Sequence, residues 1–328
     1  MAIDVIFAAA RALAGGDVVA LPTETVYGLA ASIESESALG KIFQIKGRPL
    51  LDPLIVHVLE YEWISRYAYV DGIGDRVKIL ADTFWPGPLT IILRKKSRVP
   101  PIVTAGRDSV ALRCPAHEIF RKVLAALKIP LAAPSANPFG YLSPTTAQHV
   151  RDSLGDRVQL IVDGGKCSIG VESTILDMTT DVPRILRPGA ISAGDIARII
   201  GMNVADYCPA VSSQAAPGQL RQHYSPNTRL VLFENLEDIS TLMGGATPKK
   251  AAFVLLERPK HSLECGDVFW LSENGSGAII AQNLFDVLRA LDLAGYGVIY
   301  CQKAEPNGFG TAINDRLTRA AAKFAPAS

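Results

Sequence analysis

The sequence lacks paired cysteines. Cys114, Cys167, Cys208, Cys265 and Cys301 are odd in number, and no two form a Cys-x-x-Cys pair. That argues against a disulfide framework and a zinc site, and for a reducing compartment. It also lacks a charge excess. Lys and Arg number 33 against 32 Asp and Glu, a net charge of +1. No bulk field draws nucleic acid or acidic lipid, so any RNA contact has to be local. No apolar run approaches the roughly 18–20 residues needed to cross a bilayer. The opening MAIDVIFAAARALAGG has Asp4 before its apolar stretch and Arg11 within it. It reads as a short amphipathic helix ended by Gly15-Gly16 rather than as a signal peptide, and the expected location is the cytoplasm.

Familiar chemical motifs are missing too. There is no G-x-x-x-x-G-K-[ST] loop, since "GGKCS" at 164–168 has neither the spacing nor the hydroxyl after its lysine. No G-x-G-x-x-G follows a strand, and H-E-x-x-H and G-x-S-x-G are absent. The five histidines are scattered, so spacing supports neither a metal cluster nor a Ser/His pair.

What is present is a chain of 328 residues, 48% apolar and 20% charged, long enough for two domains. Strand-like and helix-like runs alternate. A helix at 2–14 precedes a strand at 17–21, then come a helix around Leu39, Ile42 and Phe43, and the β-rich runs "PLIVHVL" and "LTIILR". "SVALRCP", "IPLAAPSAN", "VQLIVDGG", "STILDM" and "RILRPG" read as further strands. Ser143 suits an N-cap with Pro144 at the first helical position, and Ser192 with Asp195 forms a capping-box pattern closed by Gly201. Residues 206–228, rich in Pro, Ser, Ala and Gln, read as a linker. The expected organisation is a first α/β domain at 1–205 and a smaller one at 229–328 with a mostly parallel sheet.

Four stretches gather polar groups at strand ends, where open α/β sheets place ligands. "PTETVYG" follows the first strand. "KGRPLLDPLIVH" carries Lys46, Arg48, Asp52 and His57. "AGRDSVALR" carries Ser109 and Arg113, and "PSANPFGYLSPTT" carries Ser135, Asn137 and Ser143. Ser173 in "GVESTI" and Arg187 in "LRPG" add to them. Point charges, a bidentate fork and short hydroxyl donors are what a triphosphate and a carboxylate need. Taken singly, each has a plainer reading, such as a solvated helix end, a bonded strand histidine, a turn or a docking tyrosine. Spacing alone reaches an anion-binding α/β enzyme and stops there.

The same stretches, in order, resemble the L-threonylcarbamoyladenylate synthase family, in the YrdC-like superfamily. "PTETVYGLA", "KIFQIKGRPLLDPLIVHV", "FWPGPLTIIL", "VALRCPAH", "PLAAPSAN", "IVDGG", "GVESTI" and "LRPGA" carry the likeness over about residues 15–195. "RQHYSPN" and "GFGTAINDRLTRAA" are similar to the linker and final helix of the family's two-domain form. The resemblance implies a twisted mixed sheet with a large concave cavity, a linker across its mouth, and a smaller Rossmann-like domain. It implies synthesis of L-threonylcarbamoyl-AMP and pyrophosphate from L-threonine, bicarbonate or CO2, and ATP with Mg²⁺. The product serves a downstream threonylcarbamoyl transferase complex that modifies tRNA next to the anticodon; direct tRNA binding stays open.

Carried over by position, Thr25, His57, Arg113, Ala133 and Ser173 would hold threonine. Lys46 and Arg48 would be catalytic. They would grip ATP together with Asp52, Ser109, Ser135, Asn137, Ser143, Arg187 and Tyr224, and no metal ligand is assigned. Two departures stand out: Asp52 replaces the usual Asn, and Gln219 replaces the more usual Met after Gly218. A paralogue that binds nucleotide or RNA without making the product is the alternative, and a C-terminal regulatory module on an inert scaffold is a third reading.

Overall fold

A computed structural model describes residues 2–207, 216–220, 222–238, 250–263 and 266–325, the side chains of residues 2 and 3 excepted. Two compact units emerge. One comprises Met1–Phe139, Pro144–Ser168 and Glu172–Gln219; the other comprises Gly140–Ser143, Ile169–Val171 and Leu220–Ser328. The expected linker is divided between them: 216–219 groups with the first and 222–228 with the second. Residues 208–215, 221, 239–249 and 264–265, Cys208 and Cys265 among them, lie outside the described residues, and so does most of the helix that the sequence suggests near 236–243.

The first unit is built on nine strands: β1 Val19–Leu21, β2 Gly28–Ser32, β3 Ile55–His57, β4 Leu89–Arg94, β5 Ser109–Arg113, β6 Leu131–Ala132, β7 Leu160–Ile161, β8 Thr174–Asp177 and β9 Arg184–Arg187. They form one mixed sheet in the order β7-β1-β2-β6-β3-β5-β4-β8-β9. Strand alternation sorts its side chains onto two faces. Ala20, Leu29, Ala31, Val56 and Leu112 join a large core that includes Leu39, Ile42, Val77, Leu80, Val150 and Ile196 from helices Glu36–Lys46, Gly74–Phe84, Ala147–Leu154 and Ala193–Ile200.

The opposite face is split. Val19, Leu21, Ala30 and Leu131 pack under helices Ala2–Ala14 and Glu118–Leu127. Ile55, Ile92, Ala111, Ile175 and Leu186 form a separate apolar patch whose other member is Ala216 of the linker. His57 and Arg113 are the next residues on that same face, His57 lying against Phe120 of helix Glu118–Leu127 with ring centroids 5.0 Å apart.

Two local expectations are corrected. β2 had no counterpart in the sequence reading: "GLAAS" is buried throughout, so it shows no alternation, and it opens on a glycine. It pairs antiparallel with β1, which makes the sheet mixed. The helix expected to start with Ser143 as N-cap and Pro144 at its first position instead starts at Ala147 and is capped by Thr146. The Thr146 hydroxyl accepts the His149 N–H at 3.2 Å, the N3 donor it is spaced to satisfy. Ser192 does cap helix Ala193–Ile200, which Gly201 ends in the left-handed conformation.

In the second unit β10 Arg229–Phe233, β11 Ala251–Glu257, β12 Asp267–Ser272 and β13 Val298–Gln302 form a wholly parallel sheet in the order β10-β13-β11-β12. Helices Gly277–Leu293 and Phe309–Ala321 complete it. Tyr141 donates to Asp292 at 2.7 Å and Arg289 donates to the Leu142 carbonyl at 2.6 Å, which fasten the 140–143 stretch here.

Candidate active site

The loop between β1 and β2 is organised by Thr23. Its hydroxyl accepts the N–H groups of Thr25 and Val26 and donates to the Val26 carbonyl at 2.6 Å, closing a tight turn. The turn fixes the Thr25 hydroxyl, 2.8 Å from that of Thr23, in a fully buried position. Tyr27 has a structural task. Its hydroxyl donates to Gly165 O and accepts Gly164 N–H, tying the "IVDGG" loop to the turn. Burial, chiefly, pushes the phenol up to about 12, so it stays protonated. Gly28 sits at a close approach: a Cβ there would lie 3.1 Å from the Ala133 Cβ, tighter than most such contacts.

A polar row crosses this face of the sheet. His57 is in register with Arg113, and Arg113 with Thr90, across β3, β5 and β4. Directly opposed residues share a face. Thr90 then meets Ser173 at 2.7 Å between hydroxyls, and Ser173 meets Arg187, whose Nη2 donates to its Oγ at 3.0 Å and whose Nε donates to its carbonyl at 3.1 Å. His57, Arg113, Thr90, Ser173 and Arg187 are all buried.

Arg113 is held by a carboxylate the sequence reading gave no role. Its Nη2 donates to Glu24 at 2.6 Å, its Nε to Gly87 O at 3.3 Å, and the second Glu24 oxygen accepts Ala116 N–H. Nη1 makes no bond among the described residues, which leaves one arm of the fork for a ligand. His57 Nδ1 is buried without a hydrogen-bond partner. Burial first, then the Arg113 charge, pushes this imidazole down to about 3, with the Leu131 and Ile55 carbonyls offsetting only part. It is therefore neutral at physiological pH and serves as a polar partner rather than a base.

Lys46 and Arg48 flank Gly47, whose φ of 63° ends helix Glu36–Lys46. That left-handed step, open to glycine without penalty, turns both cations inward. They are 3% and 7% exposed, against the usual place of such residues in water. Lys46 Nζ donates to the carbonyls of Ser135 and Asn137 at 2.6 and 2.5 Å. Burial, then Arg48, drives its pKa well below the lysine range. Arg48 folds back on its own loop. Nε donates to Asp52 O, Nη2 donates to Pro53 O, and the Asp52 carboxylate lies 2.9 Å from Nη2.

Linker residues 216–219 reach the end of the row. Arg187 Nη1 donates to Pro217 O, Gln219 Nε2 donates to Leu186 O, and Gln219 Oε1 accepts Ala216 N–H.

The structure thus gathers Thr25, His57, Arg113, Ser173 and Arg187 along one sheet face and its β1–β2 turn, and links Lys46 to the loop carrying Ser135 and Asn137. Ala133 N donates to Ile55 O beside them. Ser109 stands apart, at the start of β5, about 13 Å along the strand from Arg113. It lines a different surface cavity of about 720 Å³ with Tyr69, Asp71, Arg76 and Arg94. Ser143 and Tyr224 belong to the second unit. There Tyr224 is buried at a φ of 60°, stacked on Phe285 at 5.8 Å and covered by the Arg316 guanidinium at 5.3 Å.

Glu24, Thr90 and Gln219 join this constellation although the sequence motifs assigned them no role in it. Glu24 offered a signal, a carboxylate between two threonines, whereas Thr90 offered none. Among the described residues no group of three His, Cys, Asp or Glu could hold a metal, and no helix is long and apolar enough to cross a membrane.

Comparison with known proteins gives the same picture for both units. The Sua5/YciO/YrdC family, described as telomere recombination, matches residues 11–189, and the C-terminal domain of threonylcarbamoyl-AMP synthase matches residues 191–322. Threonylcarbamoyl-AMP synthase of Pyrococcus abyssi is 39% identical over 315 residues, covering 93% of this chain and 90% of the relative. That of Bacillus subtilis is 38% identical over 328 residues, covering 95% and 92%. The crystal structure of P. abyssi Sua5 complexed with L-threonine matches with a TM-score of 0.87 at 36% identity, over 98% of this chain and 95% of that one. The chain belongs to the threonylcarbamoyl-AMP synthase family, in the form that carries both domains.

Proposed function

We propose that this chain joins L-threonine, CO2 or bicarbonate, and ATP into L-threonylcarbamoyl-AMP, releasing pyrophosphate. The observation that carries the reading is the buried row His57–Arg113–Thr90–Ser173–Arg187, set beside the inward-turned Lys46 and Arg48. The free arm of Arg113 is suited to a carboxylate, and the hydroxyls of Thr25 and Ser173 to the polar groups of a small amino acid. Neutral His57 adds a polar edge without a charge. Lys46, Arg48 and Arg187, with Ser135 and Asn137 on the adjoining loop, suit the phosphates. For Asp52, Ser109, Ser143, Ala133 and Tyr224 the ATP- and threonine-binding roles rest on the family resemblance alone.

The chemistry follows from such a site. The threonine amine attacks CO2, forms the N–C bond and loses a proton, giving a carbamate. A carbamate oxygen attacks the α-phosphorus, the bond to the bridging oxygen of the β-phosphate breaks, and pyrophosphate leaves. The nucleophile is already anionic, so no strong base is needed, and the work is positioning and charge stabilisation. Mg²⁺ would arrive on the triphosphate. Among the described residues no group of carboxylates could hold it alone, so phosphate oxygens and waters would be its ligands. The product would pass, in the cytoplasm, to a threonylcarbamoyl transferase complex acting on tRNA.

Pyrophosphate release, measured with and without L-threonine and with serine as control, tests the reading. Dependence on both threonine and bicarbonate is expected. ATP binding without threonine dependence would move the chain to the paralogue reading.

A further inference from the structure

Asp52 is an unusual group to find among phosphate-seeking cations. Its side chain is 1% exposed, and Lys46, Arg48, Arg107 and Arg187 all face it. Glu172, on the loop before β8, is the other carboxylate felt by Lys46. The carboxylate oxygen Oδ2 sits 2.9 Å from Arg48 Nη2, yet no aligned hydrogen bond reaches it. The pair is therefore held by charge rather than by a directed bond. Meanwhile the Arg48 guanidinium spends Nε on the Asp52 carbonyl and Nη2 on that of Pro53. The loop 52–53 thus holds the guanidinium by charge and by two carbonyls at once. A buried cation cluster needs a compensating anion, and here the chain supplies its own.

We propose that Asp52 is a positioning residue that acts through Arg48, an internal counter-ion that holds the guanidinium on its own loop until a triphosphate displaces it, with a proton bound by the Asp52 carboxyl as the nucleotide enters. The inference rests on the nucleotide reading above. Two anions competing for the same cations raise each other's energy, and the carboxylate relieves this by taking a proton. Burial already pushes the Asp52 carboxyl upward against the pull of the surrounding cations, so an incoming phosphate moves it further in the direction it is already displaced. ATP then binds with proton uptake, and its affinity falls as pH rises through the range between the free and ATP-bound values of this carboxyl. Lys46, driven well below the lysine range by burial and Arg48, can also take a proton as phosphate enters, and the same titration on Lys46→Arg separates its share from that of Asp52.

The test is calorimetric titration of ATP, with and without Mg²⁺, into the full-length protein and its Asp52→Asn variant. It is run over a series of pH values in buffers of different ionisation enthalpy. The variant is expected to bind ATP about tenfold tighter at the upper end, with up to one proton fewer taken up and a flatter pH profile. In steady state its KM for ATP falls more than its kcat changes. The titration of ATP itself is common to both proteins and cancels. Threonine binding by the variant checks that its site is folded, and Asp52→Ser gives a second uncharged replacement.

Equal affinity with the same proton uptake in wild type and variant overturns the proposal while leaving the synthase reading intact. Weaker binding of MgATP by both variants also overturns it and gives the carboxylate to the metal. Failure of the wild-type protein to bind ATP at all removes the nucleotide reading, and the proposal falls with it.

Discussion

His57 shows what burial does to a single residue. The fold keeps its imidazole neutral, at about 3, whereas the unfolded chain protonates it near 6.5. Between those values the unfolded state holds more protons, so this contribution to stability is complete above about pH 6.5 and is lost as pH falls toward 3. The slope is at most about 1.4 kcal/mol per pH unit. Urea midpoints at neutral and mildly acidic pH should therefore converge more in His57→Gln than in wild type; identical acid sensitivity would deny the assignment. For Arg113, replacement by Lys keeps the charge for Glu24 but loses the fork. A rise of about tenfold or more in KM for threonine is expected, with little change for ATP. Lys46→Ala or Arg48→Ala should cost roughly 2–4 kcal/mol in kcat/KM for ATP, and unchanged turnover in the double variant would remove both from the catalytic role. Thr25, His57, Arg113 and Ser173 were named only through the family resemblance of the motifs that hold them, and in the fold they stand together along one sheet face and its turn. Glu24 and Thr90 were not named, since their roles exist only through partners 89 and 83 residues away.

Among the elements, the β8–β9 pair sets the reach of Ser173 to Arg187. Gly189 lets the chain pass behind that pair: a Cβ there would fall 2.3 Å from Thr174 N and 2.7 Å from Ser173 C, both backbone atoms that cannot swing aside. Gly189→Ala should lower stability by about 1–3 kcal/mol in denaturant unfolding and weaken ATP binding as Ser173 and Arg187 separate. Full stability would show that the backbone relaxes freely. β2 was invisible to alternation because a strand buried on both faces has no polar side to show. The Thr146 cap was missed because Ser143, Thr145 and Thr146 offer competing hydroxyls, and only three-dimensional access to the helix N–H groups decides among them. Gln219 was noticed only as a departure. Its amide bridges Leu186 and Ala216, pinning the linker strand to β9, a task the usual methionine cannot perform by hydrogen bonding.

For the molecule as a whole, alternation of strands and helices foretold two α/β units, and both are present, one mixed and one wholly parallel. The division of one sheet face into two separate clusters was beyond reach of the sequence, because it depends on where helices Ala2–Ala14 and Glu118–Leu127 pack rather than on which residues β3, β5 and β4 contain. The central claim is one of connectivity: this site joins three substrates in one product. It is tested most directly by incubating the full-length protein with ATP, L-threonine and carbon-13 bicarbonate, then reading the mass of the nucleotide formed. The account predicts AMP bearing both the threonine and the labelled carbon, formed with one pyrophosphate for each. ATP consumed without either group joined to AMP would contradict it.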